Sequence, residues 1–358
     1  MTFAEARAQF PVFGRYAYLN AGTNGPLATA TVAAMEAWHR QDLEHGRFGK
    51  AYFDQILELR ERVRRALADV LAVAAEDVAL VSSTTNACNI VVAGLDLGAD
   101  DEIVTTDSEH FGLLGPVLAA RAQVRVANVL HADAADAAQL ILEQITPRTR
   151  LIAISHVSWM TGNSLLPDEV RRETELPILV DGAQSVGAVE VAARAFDFYT
   201  VSGQKWLCGP DSTGALYVRE PERLRVALPT YMSQLSYDLE SFAPKPGAQR
   251  FDSVWLPPAT LAGLLAALEA APRWRHERTL EMASFCRARL GQAGYDIVTT
   301  SGQGGLMSFS PRDDAEAAVA RLFEAGVIVR NVPTTDWLRV SCGWWTSEED
   351  VERLVAAL

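Results

Sequence analysis

Asp181 and Lys205 carry the first chemical signal in the chain. The apolar run from Pro177 to Val180 stops at Asp181, and the run from Phe198 to Val201 stops at Ser202, shortly before Lys205. Short runs rich in β-branched and aromatic residues that end in polar ones predict buried strands of an α/β sheet. Such sheets place ligands beyond the carboxyl ends of their strands. Asp181 and Lys205 are therefore expected to face one crevice. A lysine amine can condense with an aldehyde, and a carboxylate can hold a pyridine nitrogen protonated. Together they match what pyridoxal 5'-phosphate (PLP) requires. Spacing alone equally allows an ordinary ion pair, or two unrelated polar residues at strand ends.

The elements needed to position this pair are readable along the chain. Residues 1–25 form an irregular lead-in whose NAGTNGP stretch predicts a turn. Amphipathic helical patterns follow at Ala28–His45 and Tyr52–Leu71. Strands are expected at Val78–Val81, Ile103–Thr105, Val124–Val129, Leu151–Ser155, Ile178–Val180, Tyr199–Val201 and Ala215–Val218, mostly separated by helical patterns. Repeated β–α alternation predicts a mainly parallel sheet covered on both faces. After a loose stretch at Leu228–Pro258, helices are expected at Ala259–Ala271 and Arg275–Ala293. The tail predicts strand Leu306–Ser310, helix Asp314–Ala325, strands Ile328–Arg330 and Leu338–Ser341, and helix Ser347–Ala357. The chain thus divides into a lead-in that contributes to the site (1–25), a large cofactor-binding domain (26–255) and a small C-terminal α+β domain (256–358).

The stretches DGAQSVG, beginning at Asp181, and SGQKWLCGP, beginning at Ser202, make the reading more specific. Together they resemble the PLP-dependent class V aminotransferase family, which includes the cysteine desulfurases. The resemblance runs from Tyr18 almost to the C-terminus. It is nearest the branch of cysteine/cystine C–S lyases and isopenicillin N epimerase-like proteins. It implies the fold type I PLP-transferase architecture, in which helices flank a mainly parallel mixed sheet and a small α+β domain follows. It also implies a homodimer.

The resemblance assigns roles residue by residue. Lys205 matches the lysine that binds the cofactor aldehyde; to act as a nucleophile or base its amine must be neutral, and burial beside an apolar wall such as Trp206 lowers its pKa in that direction. Asp181 matches the partner of the pyridine nitrogen. Gln184 matches a donor to the phenolic oxygen, although a glutamine there could equally cap a helix. His110, in TDSEHFG, matches a ring stacked on the pyridine face; as a residue alone it could simply begin a helix. His156 reads as a satisfied core histidine or a supporting residue. Thr84 and Thr85, in VSSTTNACN, occupy phosphate-loop positions, where helix N-terminal amides and the macrodipole favour an anion. Serine and threonine there are also ordinary caps. Ser202 matches a further phosphate ligand. Gln204 stands where many relatives carry histidine, so it can donate a hydrogen bond without charge.

On the substrate side, Arg339, in WLRVSCGWW, matches the arginine that forks onto a carboxylate; a sheet arginine in an ion pair is the alternative. Asn20 falls where relatives help to hold the same carboxylate. Two positions depart from the family pattern. Trp159 replaces a common asparagine and is expected to line the substrate side. Val254 and Trp255 replace a glycine–threonine pair whose threonine reaches the partner subunit's phosphate, while Arg250, Phe251 and Ser253 keep the neighbourhood recognisable.

Composition narrows the partners. The 358 residues suffice for a large core, with 49% hydrophobic and 22% charged residues. A net charge of −13 without a long basic run disfavours nucleic acid and anionic membranes as partners. The four cysteines, Cys88, Cys208, Cys286 and Cys342, form no CxxC pair, which argues against a zinc site or a disulfide framework. No basic leader with an apolar core opens the sequence, and no apolar window approaches about 18 residues. The sequence reads as that of a cytoplasmic protein.

The reaction expected from these parts is β-elimination at a C–S bond of a small amino acid such as cystine or cysteine. The same residue types admit transamination or epimerisation. A persulfide-forming desulfurase is disfavoured, because such relatives carry a cysteine on a loop before the carboxylate-binding arginine, and no cysteine lies between Arg330 and Arg339. A PLP-fold binding protein without turnover has no need of Lys205, Asp181 and Arg339 together. A dinucleotide-binding dehydrogenase lacks support, since no strand leads into GxGxxG.

Overall fold

A computed structural model describes residues 1–237, 239–300 and 304–358. After a two-residue strand β1 (Ala17–Tyr18), seven strands form the central sheet. They are β2 (Val78–Val81), β3 (Glu102–Thr106), β4 (Gln123–Ala127), β5 (Thr149–Ser155), β6 (Ile178–Asp181), β7 (Phe198–Ser202) and β8 (Gly214–Val218). Their spatial order is β2-β8-β7-β6-β5-β3-β4. Only β8 runs antiparallel to its neighbours β2 and β7; the remaining pairings are parallel. The carboxyl ends of β2, β3, β5, β6 and β7 therefore share one edge. This is the fold type I α/β architecture.

The apolar runs alternate between two cores, as a period of two requires. Val78, Leu80, Ile152, Ile154, Val180 and Val201 pack on one face with Leu59, Val63, Leu67 and Leu71. Ala79, Val81, Leu151, Ala153, Leu179 and Leu216 pack on the other with Ala87, Val91, Leu113 and Val117. Both faces are apolar because helices cover both, which is why these strands read as continuous hydrophobic runs. β4, at the sheet edge, leaves Gln123 and Val126 exposed.

The C-terminal unit contains β9 (Asp296–Ile297), β10 (Leu306–Ser310), β11 (Val327–Ile328), β12 (Arg330–Asn331) and β13 (Leu338–Ser341). An antiparallel sheet runs in the order β12-β13-β10-β9, while β11 pairs in parallel with β1. The single strand expected at Ile328–Arg330 is thus two, since its halves bond different partners. The core of this unit holds Met282, Leu290, Phe309, Leu322, Val340 and Leu354, joined by Ala17 and Leu19 from the lead-in.

The helix Pro258–Ala270 lies beyond the domain boundary expected at 255/256. It nevertheless buries Leu261, Leu264 and Leu265 in the core of the large sheet. Packing assigns it to the large unit, because its apolar side meets that sheet's helices and not β9–β13. No helix among the described residues is long and apolar enough to cross a membrane.

A buried ionic cluster ties the large unit together. Asp252 accepts from Arg60 Nη2 at 2.9 Å, from Arg64 at 3.0 and 2.9 Å, and from the Leu80 amide at 2.8 Å. Burial pushes the Asp252 carboxyl up, but Arg64, Arg60 and the Leu80 amide together hold it below the usual range. Replacing Asp252 with Ala strands two buried guanidinium groups and should cost about 3–5 kcal/mol in urea unfolding at neutral pH. A carboxylate with a depressed folded-state pKa stabilises above its unfolded pKa and loses that contribution as pH falls through the folded value. The stability gap between wild type and Asp252→Ala should therefore close below about pH 4. A gap that stays constant with pH would contradict this account.

Candidate active site

The shared strand edge opens onto a cavity of about 220 Å³. Asp181 is the last residue of β6, and Ser202 the last of β7, with Gln204 and Lys205 on the turn that follows. β2 leads through Ser83 into a helix beginning at Thr84 and Thr85. His110 follows β3, and Trp159 follows β5. All of these residues, with Gln184 and Arg339, line the cavity. Asn20 does not. It sits behind the wall, where its Oδ1 accepts from Thr23 Oγ1 at 2.8 Å.

Thr23 and Arg330 also line the cavity, although neither stood out as a site residue in the sequence. Arg339 Nη2 donates to Thr23 Oγ1 at 2.9 Å and Arg330 Nη1 at 3.3 Å, so one hydroxyl organises two guanidinium groups. Arg339 Nη1 also donates to the Trp159 carbonyl at 3.0 Å. Arg330 lies 6.0 Å from the centre of the Trp159 ring. A lone threonine in a glycine-rich turn and a lone strand arginine carry no local signal; only the tertiary fold joins them.

Enclosure sets the protonation states. Burial pushes the Lys205 ammonium down to about 8; Asp181 opposes the shift, while Arg339 and Arg330 reinforce it. The Lys205 side chain retains partial access to the cavity, so its amine is desolvated yet reachable. Burial pushes the Asp181 carboxyl up, and Lys205, the Ala183 amide at 2.8 Å and Thr200 hold it down. A cation beside Asp181 favours its ionised form, and the carboxylate in turn favours that cation. His110 is pushed down to about 4 by burial and by the cations Lys205, Arg339 and Arg330. Its Nδ1 accepts from the Gly112 amide at 3.0 Å, so the neutral ring carries its proton on Nε2. His110 both caps a helix and presents its ring to the cavity, edge-on to Trp159 at 5.1 Å. His156 has no place in the lining: its Nδ1 bonds the buried Tyr199 hydroxyl at 2.7 Å.

The lining fits PLP. Thr84 Oγ1, at a helix N-terminus, is buried without a partner, as are Arg339 Nε and Trp159 Nε1. The Thr84 and Thr85 amides, in the first turn, point out of the helix as anion donors. Ser202 Oγ donates to Gln204 Oε1 at 3.0 Å, which leaves the Gln204 NH2 as an outward donor. Phosphate groups suit the threonine end, a pyridine nitrogen suits Asp181, and an aldehyde suits Lys205.

A desolvated lysine, a buried carboxylate and a helix N-terminus at the carboxyl edge of a mainly parallel sheet define a PLP-dependent enzyme of fold type I. The chain belongs to the class V aminotransferase family, whose model matches residues 17–354. Over 99% of its length it is 27% identical to isopenicillin N epimerase of Streptomyces clavuligerus, covering 97% of that protein. Over 62% of its length it is 34% identical to a cysteine desulfurase of Salmonella dublin, covering 59% of that protein. Among solved structures it is similar to the cystine C–S lyase C-DES in complex with its reaction product cysteine persulfide, with a TM-score of 0.91 and 29% identity over 97% of this chain and 98% of that one. A mutant of C-DES carries glycine covalently linked to the PLP cofactor; that structure matches with a TM-score of 0.90 and 30% identity over 98% of both chains.

The depressed Lys205 pKa is measurable without substrate. In cofactor-free protein, acylation of Lys205 followed by peptide mapping should titrate near pH 8. Asp181→Asn should move that midpoint lower, because the carboxylate that opposes burial is gone. Titration near 10.4, the ordinary lysine value, would contradict the desolvated placement.

Proposed function

We propose that this enzyme cleaves the C–S bond of cystine by β-elimination, giving cysteine persulfide, pyruvate and ammonia with the uptake of one water. The observation that carries the reading is the pair Arg339 and Arg330, both joined to Thr23, at one wall of the cavity. Cystine has two α-carboxylates, and two guanidinium groups suit them. The sequence pointed to Arg339 for one carboxylate and to Trp159 on the substrate side, with Arg330 given no role. With Arg330 in the lining, the substrate side offers a second anion site next to the Trp159 ring.

PLP held by Thr84, Thr85, Asp181, Gln184, Ser202, Gln204 and Lys205 supplies the electron sink that makes a substrate Cα–H acidic. Arg339 fixes the α-carboxylate, and its burial makes that contact strong. Lys205 Nζ, neutral in a large fraction near pH 8, takes the Cα proton. Asp181 keeps the pyridine nitrogen protonated. His110, neutral and accepting from the Gly112 amide, would shield the bound cofactor from water. Arg330, beside Arg339 on the same Thr23 hydroxyl, is the candidate for the second carboxylate.

Persulfide storage on an enzyme cysteine lacks a candidate. All four cysteines are buried. Burial pushes the thiols of Cys88 and Cys208 up, and that of Cys342 is raised by its contact with Cys286 and by burial. Epimerisation is the second reading, favoured by the full-length similarity to isopenicillin N epimerase.

We also infer a homodimer. Leu43 (85% exposed), Phe48 (76%) and Val254 (60%) are large apolar side chains left in solvent, as is Phe53, whose ring meets Trp255 at 6.1 Å. Ser253 is committed within its own chain, to Asn86. Leu43→Glu with Phe48→Glu should convert a dimer to monomer in sedimentation; a wild-type monomer with full activity would refute the inference.

The reaction is tested by incubating the holoenzyme with cystine, with and without a keto acid. Pyruvate should form from cystine without a keto acid. Arg330→Met should raise KM for cystine at least about tenfold, the loss expected from one charge-assisted contact, and leave S-methylcysteine nearly unaffected. Solvent deuterium entering Cα with inversion, and no pyruvate, would favour epimerisation. A strict need for the keto acid would favour transamination.

A further inference from the structure

Gln184 is held at both ends of its amide. Trp206 Nε1 donates to Gln184 Oε1 at 2.9 Å, and Gln184 Nε2 donates to the Gly22 carbonyl at 2.9 Å. An indole nitrogen can only donate, and a backbone carbonyl can only accept. The two contacts together allow one orientation of the amide. Its oxygen is consumed on the Trp206 side, and one N–H remains unassigned in a residue that lines the cavity.

The donor cannot easily move. Trp206 is 2% exposed and packs with Ala188, Cys208, Trp344 and Trp345. Gly305 and Gly187 press on it so closely that a Cβ would come within 2.7 Å of the ring and 2.9 Å of its carbonyl carbon. The indole is therefore wedged in place one residue after Lys205.

We propose that Trp206 is a positioning residue: its indole N–H locks the Gln184 amide so that Gln184 meets the cofactor's phenolic oxygen only as a donor. The proposal rests on the reading that Gln184 faces that oxygen. A donor there favours the anionic oxygen and lowers the pH at which the neighbouring proton leaves. With Trp206 silenced, the amide can turn and present its carbonyl oxygen instead. The Gly22 contact reinforces the effect of the lock, because a turned amide would set its oxygen against that carbonyl.

The readout is the pH midpoint of the visible absorption of the holoenzyme, for wild type, Trp206→Phe, Gln184→Leu and the double variant. Trp206→Phe should raise the midpoint by about one pH unit, the effect of losing one hydrogen bond to a charged group. Gln184→Leu should raise it as well, and Trp206→Phe should add nothing in that background. If Gln184→Leu leaves the midpoint unchanged, the underlying reading of Gln184 fails and the proposal with it. If Gln184→Leu shifts the midpoint and Trp206→Phe does not, the proposal alone is overturned. Equal shifts from Trp206→Phe with and without Gln184 would make the effect one of packing, and would overturn it too. Should Trp206→Phe fail to fold, benzothienylalanine placed at position 206 removes the N–H and keeps the ring shape; an unchanged midpoint in that protein overturns the proposal.

Discussion

Desolvation of an amine beside a carboxylate is the constraint on which the site depends. Either Lys205 or Asp181 alone in this cavity would discharge itself, because a buried unpaired charge is costly. Together each opposes the other's loss of charge, with Lys205 at about 8 and Asp181 raised from its ordinary value. Placing both at the ends of adjacent parallel strands, β6 and β7, follows from the sheet alone. The two apolar faces of that sheet then keep both strand ends fixed.

This half of the architecture was legible in the sequence because its signals are local. A β-rich run that stops at a polar residue marks both a strand and its functional end, so Asp181, Ser202 and Lys205 could be placed from text alone. The end proposed for phosphate, at Thr84 and Thr85, stands at the cavity for the same local reason: a strand stops, hydroxyl residues follow and a helix begins. The family resemblance supplied the roles, which spacing left open between cofactor contact and ion pair.

The substrate wall was less legible because it is made by tertiary contact. Arg330 gains meaning only when β12 pairs with β13 and Thr23 arrives from the other end of the chain. Asn20 was picked by position in its motif, yet Thr23, three residues on, reaches the arginines, because the turn aims the threonine hydroxyl inward. The helix Pro258–Ala270 was assigned by its place in the chain order, whereas its leucines follow the nearest large apolar surface. Asp252 also gave no advance sign, since its value comes from Arg60 and Arg64 nearly two hundred residues earlier.

The pairing of β1 with β11 gives the two halves of the site different histories. Every proposed cofactor contact lies between Thr84 and Lys205, and the sheet that carries them closes with β8 at Val218. The wall proposed for substrate needs Thr23 and Arg339 together, and the lead-in is secured by the Leu19 carbonyl accepting from the Ser341 amide at 2.8 Å. Domains fold as units during synthesis, the N-terminal parts first. A ribosome-bound chain can therefore assemble the sheet that carries Asp181 and Lys205 while its first twenty-five residues, which bond Gln184 and Gln204, still wait for the last strand to emerge. A chain truncated ahead of β13 would keep the strands that carry Asp181 and Lys205, but would lack Arg339 and, with Trp344 and Trp345, part of the packing around Trp206.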